Sequence, residues 1–164
     1  IAVMMDGDLL QLGTPEEVYK NPNDIRVAEF IGSPKMNILK GTCDEKGQVT
    51  SAGIKIDAQI DPSNAGAISI GFRPEHIEIV QKASNKTLSG KLSYKENLGS
   101  DVFLHLSLDG SDDSFIVRAQ PNEGNTQKIG DILHFTPIKG SALVFDSKGQ
   151  GVTLLKSKTS GKRK

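Results

Sequence analysis

The side chains that could perform chemistry are few in this sequence, and they are scattered along it. The three histidines, His76, His105 and His134, lie far apart. The single cysteine, Cys43, has no cysteine or histidine at the spacing that zinc ligands need. A serine nucleophile of the hydrolase type would need a Gly-x-Ser-x-Gly turn, which does not occur. The sequence therefore predicts no catalytic residue, no cofactor-binding residue and no metal site.

The loop that holds nucleotide phosphates in many ATPases, Gly-x-x-x-x-Gly-Lys-Ser/Thr, is also missing from the sequence. Two short segments, Leu88–Lys91 and Ser160–Lys162, resemble parts of phosphate-binding motifs. The first leads into a predicted strand, and the second has neither a predicted strand before it nor a predicted helix after it. We therefore expect no P-loop hydrolysis of ATP by this chain.

The polar residues with the most functional potential are Arg73, Glu75 and His76, which follow a predicted strand. Arg73 precedes a proline, so its backbone is expected to be extended. Its guanidinium can make a bidentate contact with a nearby carboxylate such as Glu75. One interpretation is a structural clamp at the corner of a strand. The other is contact with a ligand or a partner, in which Arg73, His76 and Lys91 line a polar cleft.

Helices and strands must position these residues. The pattern of residues 1–33 predicts a mixture of strand and helix. Ile1–Met5 and Leu9–Leu12 are short apolar runs joined by Asp6-Gly7, a dipeptide typical of tight hairpin turns. Because the chain opens inside a strand, we expect it to have been cut from a longer protein. The hairpin would then lack the rest of its sheet. We expect it to be disordered, to pair with another copy or to fold back on the barrel, with self-association as the result.

Two short helices should follow the hairpin. Thr14 is placed to cap the first helix, with Pro15 at its first position and Glu17 closing a capping box. Asp24 can cap the second helix, which is predicted to run over Ile25–Ile31.

After Asn37 the hydrophobic period changes to two, which is typical of strands. Gly99 is predicted to take an unusual backbone angle in the turn between two strands. His105, on the polar side of the second of these strands, is predicted to be exposed. Many short strands with glycine-rich turns predict a mainly β fold, a small antiparallel barrel or sandwich. The predicted strands are Ile54–Ile60, Ala67–Phe72, His76–Val80, Gly90–Lys95, Val102–Leu108, Ser114–Ala119, Ile132–Pro137, Ala142–Phe145 and Gly151–Leu155.

Composition narrows the class of protein further. Twenty basic residues balance twenty acidic residues, whereas proteins that grip nucleic acid usually carry a basic excess. The single cysteine excludes an internal disulfide and favours a reducing compartment. No run approaches the ~20 apolar residues that cross a bilayer as a helix. The basic tail over residues 157–164 is predicted to be disordered.

Several short motifs occur in the order found in one protein family. The segments Gly13–Tyr19 and Val27–Pro34 resemble the end of the nucleotide-binding domain in ATPases of ABC importers of the maltose and glycerol-phosphate type. Ser33–Asn37 resembles the form that is typical of the carbohydrate branch. Three further segments resemble the oligomer-binding-fold accessory domain of this family: Gly71–His76, Glu96–Asp101 and Leu143–Asp146.

The resemblance implies an antiparallel barrel of the oligomer-binding-fold (OB-fold) type and a division of the chain into three parts. Residues 1–33 would be the C-terminal remnant of the nucleotide-binding domain. Residues 34–156 would be the transport-associated oligomer-binding (TOBE) domain with a regulatory role, followed by the tail. The P-loop and the family's switch histidine are missing, and Leu88–Lys91 matches only the start of its signature motif. ATP and Mg²⁺ would therefore be bound, and ATP hydrolysed, by the parent protein alone.

The resemblance also implies a function and partners. The chain would be an accessory and regulatory domain of the ATP-hydrolysing subunit of an importer for sugars or sugar phosphates. Its partners would be a second copy of the subunit, the membrane subunits through the parent protein and a cytoplasmic regulatory protein, but no nucleic acid. Its location would be cytoplasmic, peripheral to the inner face of the cell membrane. The alternative is a β-domain that senses a small molecule or an oxyanion in an importer for another substrate.

Overall fold

The computed structural model describes residues 1–156, and its architecture is mainly β, as the sequence predicts. The predicted basic tail, residues 157–164, lies outside the described residues. Within residues 1–156 all strand pairs are antiparallel, and they form a two-stranded hairpin, a six-stranded sheet and a five-stranded sheet. No helix in this part of the chain is long and apolar enough to cross a membrane.

The N-terminal hairpin consists of β1 (Ala2–Met5) and β2 (Asp8–Leu12). Both residues of the turn between them, Asp6 and Gly7, have positive φ angles, 51° and 88°. Two successive positive φ angles define the type I′ turn, whose twist matches that of the flanking strands. Glycine adopts this conformation freely and aspartate tolerates it, so the predicted hairpin is confirmed.

Two helices follow, α1 (Pro15–Lys20) and α2 (Ile25–Phe30). The hydroxyl of Thr14 accepts a hydrogen bond from the Glu17 amide at 3.2 Å, and the Glu17 carboxylate accepts one from the Thr14 amide at 2.8 Å. These reciprocal bonds are the predicted capping box. Asp24 caps α2 by accepting from a backbone N–H in its first turn. The helix ends one residue earlier than predicted.

The hairpin packs its buried apolar side chains against these two helices. The side chains that form this small cluster are Val3, Leu10, Val18, Val27 and Ile31. Other apolar side chains of the hairpin stay open to solvent: Met4, Leu9 and Leu12 are 60%, 57% and 73% exposed. The structure shows the hairpin as an ordered segment that packs on α1 and α2, and not the expected folding back on the barrel, since none of the side chains in this cluster comes from the β-region. Self-association stays a prediction.

The six-stranded sheet contains β3 (Asn37–Cys43), β4 (Gln48–Ser51), β5 (Ile54–Gln59), β6 (Gly66–Phe72), β12 (Leu143–Phe145) and β13 (Gly151–Val152). Their order is β13-β12-β6-β3-β4-β5. The central pair, β3 and β6, is in register from Asn37 opposite Phe72 to Cys43 opposite Gly66. After β13 the amide of Leu155 donates to the carbonyl of Gln59 at 2.7 Å, so the two edges of the sheet approach each other.

The five-stranded sheet contains β7 (Ile77–Val80), β8 (Leu88–Asn97), β9 (Val102–Ser107), β10 (Ser114–Ala119) and β11 (Ile132–Pro137). Their order is β10-β9-β8-β11-β7. Gly99 has a φ angle of 84° in the turn between β8 and β9, a conformation that glycine adopts without steric cost.

Some local features differ from the sequence predictions. The predictions omit β3 and β4, where glycine and polar residues obscure the alternation. Pro121–Gly124, between two of the predicted strands, forms the short helix α3. β13 covers two residues of the predicted strand Gly151–Leu155, because its partner β12 is itself only three residues long. His105 is half-buried and not exposed, since its ring packs edge-on against Tyr94 with centroids 5.2 Å apart.

The two larger sheets share one hydrophobic core. Strands of both sheets contribute aliphatic side chains to it, and the rings of Phe115 and Phe135 stack inside it with centroids 4.8 Å apart. This continuous apolar interior holds the two sheets together. Its largest fully buried members are Phe72, Phe135, Ile60, Ile70, Leu92, Leu104 and Leu106.

A buried polar residue, Asn37, connects the sheets at one point. It is 5% exposed. Its side-chain amide donates to the carbonyl of Ile116 at 2.8 Å, and its side-chain carbonyl accepts from the amide of Ile116 at 2.6 Å. Ile116 lies in β10, an edge strand, so the Asn37 side chain takes the place of a missing neighbouring strand.

We expect the substitution Asn37→Ala to lower the free energy of unfolding by about 2–4 kcal/mol, because it leaves a buried amide and a buried carbonyl of Ile116 without partners. Urea denaturation measures this loss. Asn122→Ala removes an exposed asparagine and should change stability by less than ~0.5 kcal/mol. Similar losses in the two variants would contradict the connecting role of Asn37.

Candidate functional site

Arg73 lies at the centre of the candidate site. It follows β6 directly and precedes a short 3-10 turn, Pro74–His76, so His76 lies in this turn and not in the strand predicted to begin there. The backbone of Arg73 is extended, with φ −71° and ψ 143°, as expected before proline. The residue is 2% exposed. β6 and Pro74 together fix the direction in which this long side chain leaves the sheet.

The guanidinium of Arg73 binds the C-terminal ends of both N-terminal helices. Its Nη2 donates to the carbonyl of Tyr19 in α1 at 3.0 Å. Its Nη1 donates to the carbonyls of Ala28 and Ile31, at the end of α2, at 3.0 and 2.6 Å. Carbonyls in the last turn of a helix lack intrahelical partners, and the negative end of the helix dipole favours a cation there. One side chain therefore caps two helices.

Tyr19 completes the surroundings of the guanidinium. Its ring lies under Arg73, with the guanidinium carbon 4.0 Å from the ring centroid, the arrangement of a cation–π contact. The Tyr19 hydroxyl donates a hydrogen bond to the carboxylate of Glu75. Burial, together with this hydrogen bond, raises the pKa of Tyr19 to about 12. Burial lowers the pKa of the Arg73 guanidinium below its ordinary value.

The predicted pairing of Arg73 with Glu75 is wrong. The salt bridges within residues 1–156 do not include one between these two residues. The reason is the direction of the guanidinium, whose terminal nitrogens face the helix carbonyls, while Glu75 is reached by Tyr19. The contacts of Arg73 are those of a structural clamp, directed at the backbone.

A glycine makes room for this clamp. Gly32, which follows α2, has a φ angle of 116°, and a Cβ atom built on it would lie 3.0 Å from Nη1 of Arg73. Any side chain here would be strained by its backbone angle and would crowd the guanidinium. Gly32 therefore serves two purposes, since it ends the helix and lets Arg73 approach the exposed carbonyls.

A second connection joins the N-terminal helices to the β-region. Asp24, 5% exposed, accepts hydrogen bonds from the Arg26 guanidinium at 2.8 and 3.0 Å and from the Gln150 side-chain amide at 3.0 Å. Two backbone hydrogen bonds of 2.8 Å flank Asp24. The amide of Ile25 donates to the carbonyl of Gly149, and the amide of Gly151 donates to the carbonyl of Asn23. The bonds from Arg26 are the main cause that lowers the pKa of Asp24 to about 2.

A cleft of about 730 Å³ lies between these two connections. It is bordered on one side by the link between α1 and α2, and on the other by β12, β13 and the turn before β12. Arg73 and His76 line it, but Lys91 does not. Lys91 is exposed in β8, opposite Ile132 and Ser107, so the structure does not bring the three predicted cleft residues together.

Other potentially reactive side chains make local contacts. His134 shares a hydrogen bond of 2.7 Å with the hydroxyl of Ser89. His105 Nε2 lies 4.0 Å from the carboxylate of Glu96. Burial raises the pKa of the Cys43 thiol above its ordinary value, which disfavours the reactive thiolate. Within residues 1–156, no three His, Cys, Asp or Glu side chains are grouped closely enough to hold a metal ion.

Comparison with family models identifies the two domains that make up this architecture. Residues 32–77 match the MalK OB fold domain, and residues 70–145 match the TOBE domain. The fold and these matches define a mainly β protein with domains of the OB-fold and TOBE classes. Residues 32–145 are therefore similar to a MalK OB fold domain followed by a TOBE domain.

The chain is also similar to curated ATP-binding proteins of sugar importers, which confirms the predicted resemblance. It is 37% identical over 145 residues to the sn-glycerol-3-phosphate import ATP-binding protein of Psychromonas ingrahamii, covering 81% of this chain and 36% of that protein. It is 31% identical to the alpha-glucoside transport ATP-binding protein of Rhizobium meliloti (92% and 42% covered) and 33% identical to the oligosaccharides import ATP-binding protein of Bacillus subtilis (72% and 35% covered). The chain thus spans less than half the length of these relatives.

One solved structure shares the fold. The cytoplasmic molybdate-binding protein ModG, crystallised with molybdate bound, superimposes with a TM-score of 0.51 at 14% sequence identity. The match covers 66% of this chain and 94% of the ModG chain. At this level of identity the likeness concerns the fold alone.

We expect Arg73→Lys to lower the free energy of unfolding by about 2–4 kcal/mol, because an ammonium group cannot reproduce the forked contacts with three carbonyls. Urea denaturation measures the loss, and amide hydrogen exchange should accelerate most in α1 and α2. Arg118→Lys is the matched control, since Arg118 is an exposed arginine paired with Asp101, and it should cost less than ~1 kcal/mol. Unchanged exchange in both helices would contradict the clamp.

Asp24 should make stability depend on pH. Its pKa is lower in the folded state than its ordinary value of 3.8, so its contribution is present above pH ~4 and is lost as the pH falls towards ~2. At neutral pH, Asp24→Asn should therefore be less stable than the wild type by about 2 kcal/mol, and the difference should vanish near pH 2. Unfolding measured from pH 2 to 7 tests this, with the exposed Asp112→Asn as control. A difference that does not change with pH would contradict it.

Proposed function

We propose that this chain is the accessory and regulatory part of the ATP-binding subunit of an ABC importer for sugars or sugar phosphates. The observation that carries the proposal is the pair of domain matches, MalK OB fold followed by TOBE, together with similarity to ATP-binding proteins for glycerol phosphate, alpha-glucosides and oligosaccharides. In this proposal, ATP and Mg²⁺ bind to the remainder of a longer subunit and this chain performs no hydrolysis.

The proposed role is to receive contacts on the β-region and to pass them to the N-terminal helices. The clamp of Arg73 on α1 and α2, and the link of Asp24 to Gln150, support this role. Both connections join backbone or buried groups of the helices to the β-region, so a displacement of one part should move the other. A regulatory protein of the cytoplasm that binds the β-region would act through these connections.

We further propose that two copies of the subunit pair, and that the assembled subunits bind the membrane subunits from the cytoplasmic side. Three large apolar side chains along or beside β8, namely Tyr94, Leu98 and Ile132, are 57–59% exposed, and exposed apolar side chains favour association. The hairpin exposes a second set, which includes Leu9 and Leu12. These side chains are candidates for the contacts between copies.

A hybrid subunit tests the proposed function. The chain replaces the aligned part of the Bacillus subtilis oligosaccharides import ATP-binding protein, to which it is 33% identical over 135 residues. Because the accessory part is supplied, cells that carry the hybrid should take up oligosaccharide faster than cells that carry the subunit truncated before this part. A hybrid that is expressed and hydrolyses ATP, yet supports no more uptake than the truncated subunit, would contradict the proposal.

Light scattering on the isolated chain tests whether two copies pair. A dimer that Ile132→Lys dissociates would place the contact on the β-region, whereas a dimer that only Leu12→Lys dissociates would place it on the hairpin. A strict monomer at all concentrations would contradict the pairing part of the proposal. The same preparation should show no ATP turnover.

A further inference from the structure

The cleft between the two connections has an unbalanced charge. Three of its lining residues are basic in type, Lys20, Arg73 and His76, and none of the described residues that line it carries a carboxylate. The chain as a whole is balanced, with twenty basic and twenty acidic residues. A concave surface lined by one sign of charge concentrates ions of the other sign, so the cleft favours an anion.

Arg73 contributes a buried charge to the cleft. Its terminal nitrogens bind only neutral carbonyls, and no carboxylate in the described part of the chain forms a salt bridge with it. Glu75 is bound by the Tyr19 hydroxyl and does not line the cleft. The Glu75 carboxylate acts on the guanidinium from outside the cleft and balances part of its charge, so the charged groups that line the cleft itself are basic only.

Two buried nitrogen atoms of the cleft residues lack hydrogen-bond partners within residues 1–156. They are Nε of Arg73, in a residue that is only 2% exposed, and Nδ1 of His76. Buried polar atoms are normally paired, and exceptions often mark a place where another group binds. Lys20, by contrast, is exposed and pairs with Glu16 one helical turn away, a weak interaction that leaves it available to a ligand.

The remaining walls suit the uncharged part of a small molecule. The exposed Asn21, Asn23 and Thr153 provide polar groups, and Val152 and Leu154 provide an apolar surface. The volume of about 730 Å³ is within the range of roughly 300–1,000 Å³ that is typical of small-molecule sites.

We propose that this cleft binds a phosphorylated molecule of the size of a sugar, with the phosphate towards Lys20, Arg73 and His76 and the carbon skeleton against the β12–β13 side. The ligand would touch both the link between α1 and α2 and the β-region, so its binding would hold the two connected parts in one arrangement. The test of this site is independent of the proposed transport function, because ligand binding is measured on the isolated chain and no transport is needed.

Calorimetry with glucose 6-phosphate, inorganic phosphate and glucose tests the proposal. Glucose 6-phosphate should bind, inorganic phosphate should bind about tenfold more weakly because it lacks the carbon skeleton, and glucose should give no heat. Equal affinity for inorganic phosphate and glucose 6-phosphate would overturn the assignment of a sugar-sized ligand. The absence of heat with glucose 6-phosphate at millimolar concentration would overturn the site.

Substitutions that change only charge locate the binding. Thr153→Glu places a carboxylate in the cleft and should weaken glucose 6-phosphate binding about tenfold or more, whereas Thr153→Gln, of the same shape without the charge, should stay within about twofold of the wild type. Lys20→Gln should weaken binding about fivefold, and Lys82→Gln, an exposed lysine outside the cleft, should not. Equal effects of Thr153→Glu and Thr153→Gln, or of the two lysine variants, would overturn the location.

Discussion

The burial of one arginine constrains how the N-terminal helices sit on the β-region. A guanidinium that leaves water is costly unless its donors are satisfied. Arg73 meets most of this requirement with three carbonyls at the helix ends and the face of the Tyr19 ring, and only its Nε has no hydrogen-bond partner within residues 1–156. Those carbonyls come from two helices, so both helices must end at the same place. Gly32 leaves that place free of a side chain, and Pro74 holds the backbone of Arg73 extended.

The same end of one strand pair carries a second polar connection. Asn37 at the start of β3 lies opposite Phe72 at the end of β6, and Arg73 follows Phe72 directly. Asn37 reaches across to the edge strand β10, while Arg73 reaches the helices. Two adjacent polar side chains therefore attach the six-stranded sheet to the five-stranded sheet and to the N-terminal helices. Apolar burial supplies the driving force for folding, and these hydrogen bonds select one relative arrangement of the parts.

The charge of the cleft follows from these contacts of Arg73. Because the terminal nitrogens of Arg73 bind neutral carbonyls, its charge is balanced only in part, by the Glu75 carboxylate, which does not line the cleft. Asp24 and Gln150 connect the other side of the junction through a partly buried hydrogen bond. A ligand placed there would contact the link between α1 and α2 and the β12–β13 side together. In the proposed accessory role, a molecule bound at this position would act on both of the parts that the two connections join.

The sequence by itself determined the local features, and the tertiary structure decided which distant residues meet. Capping boxes, tight turns and alternating strands depend on residues a few positions apart, so Thr14, Glu17, Asp6 and Gly99 were predictable, as was the mainly β class. The ordered motifs also led to the correct domain families. The partners of Arg73 and Asn37 lie 42 to 79 residues away along the chain, and no local pattern encodes such contacts.

For this reason Glu75 was the natural but wrong partner for Arg73, and Lys91 was grouped with a cleft that it does not reach. Strands β3 and β4 were not predicted for the same reason, because pairing with neighbouring strands, and not their own composition, makes them strands.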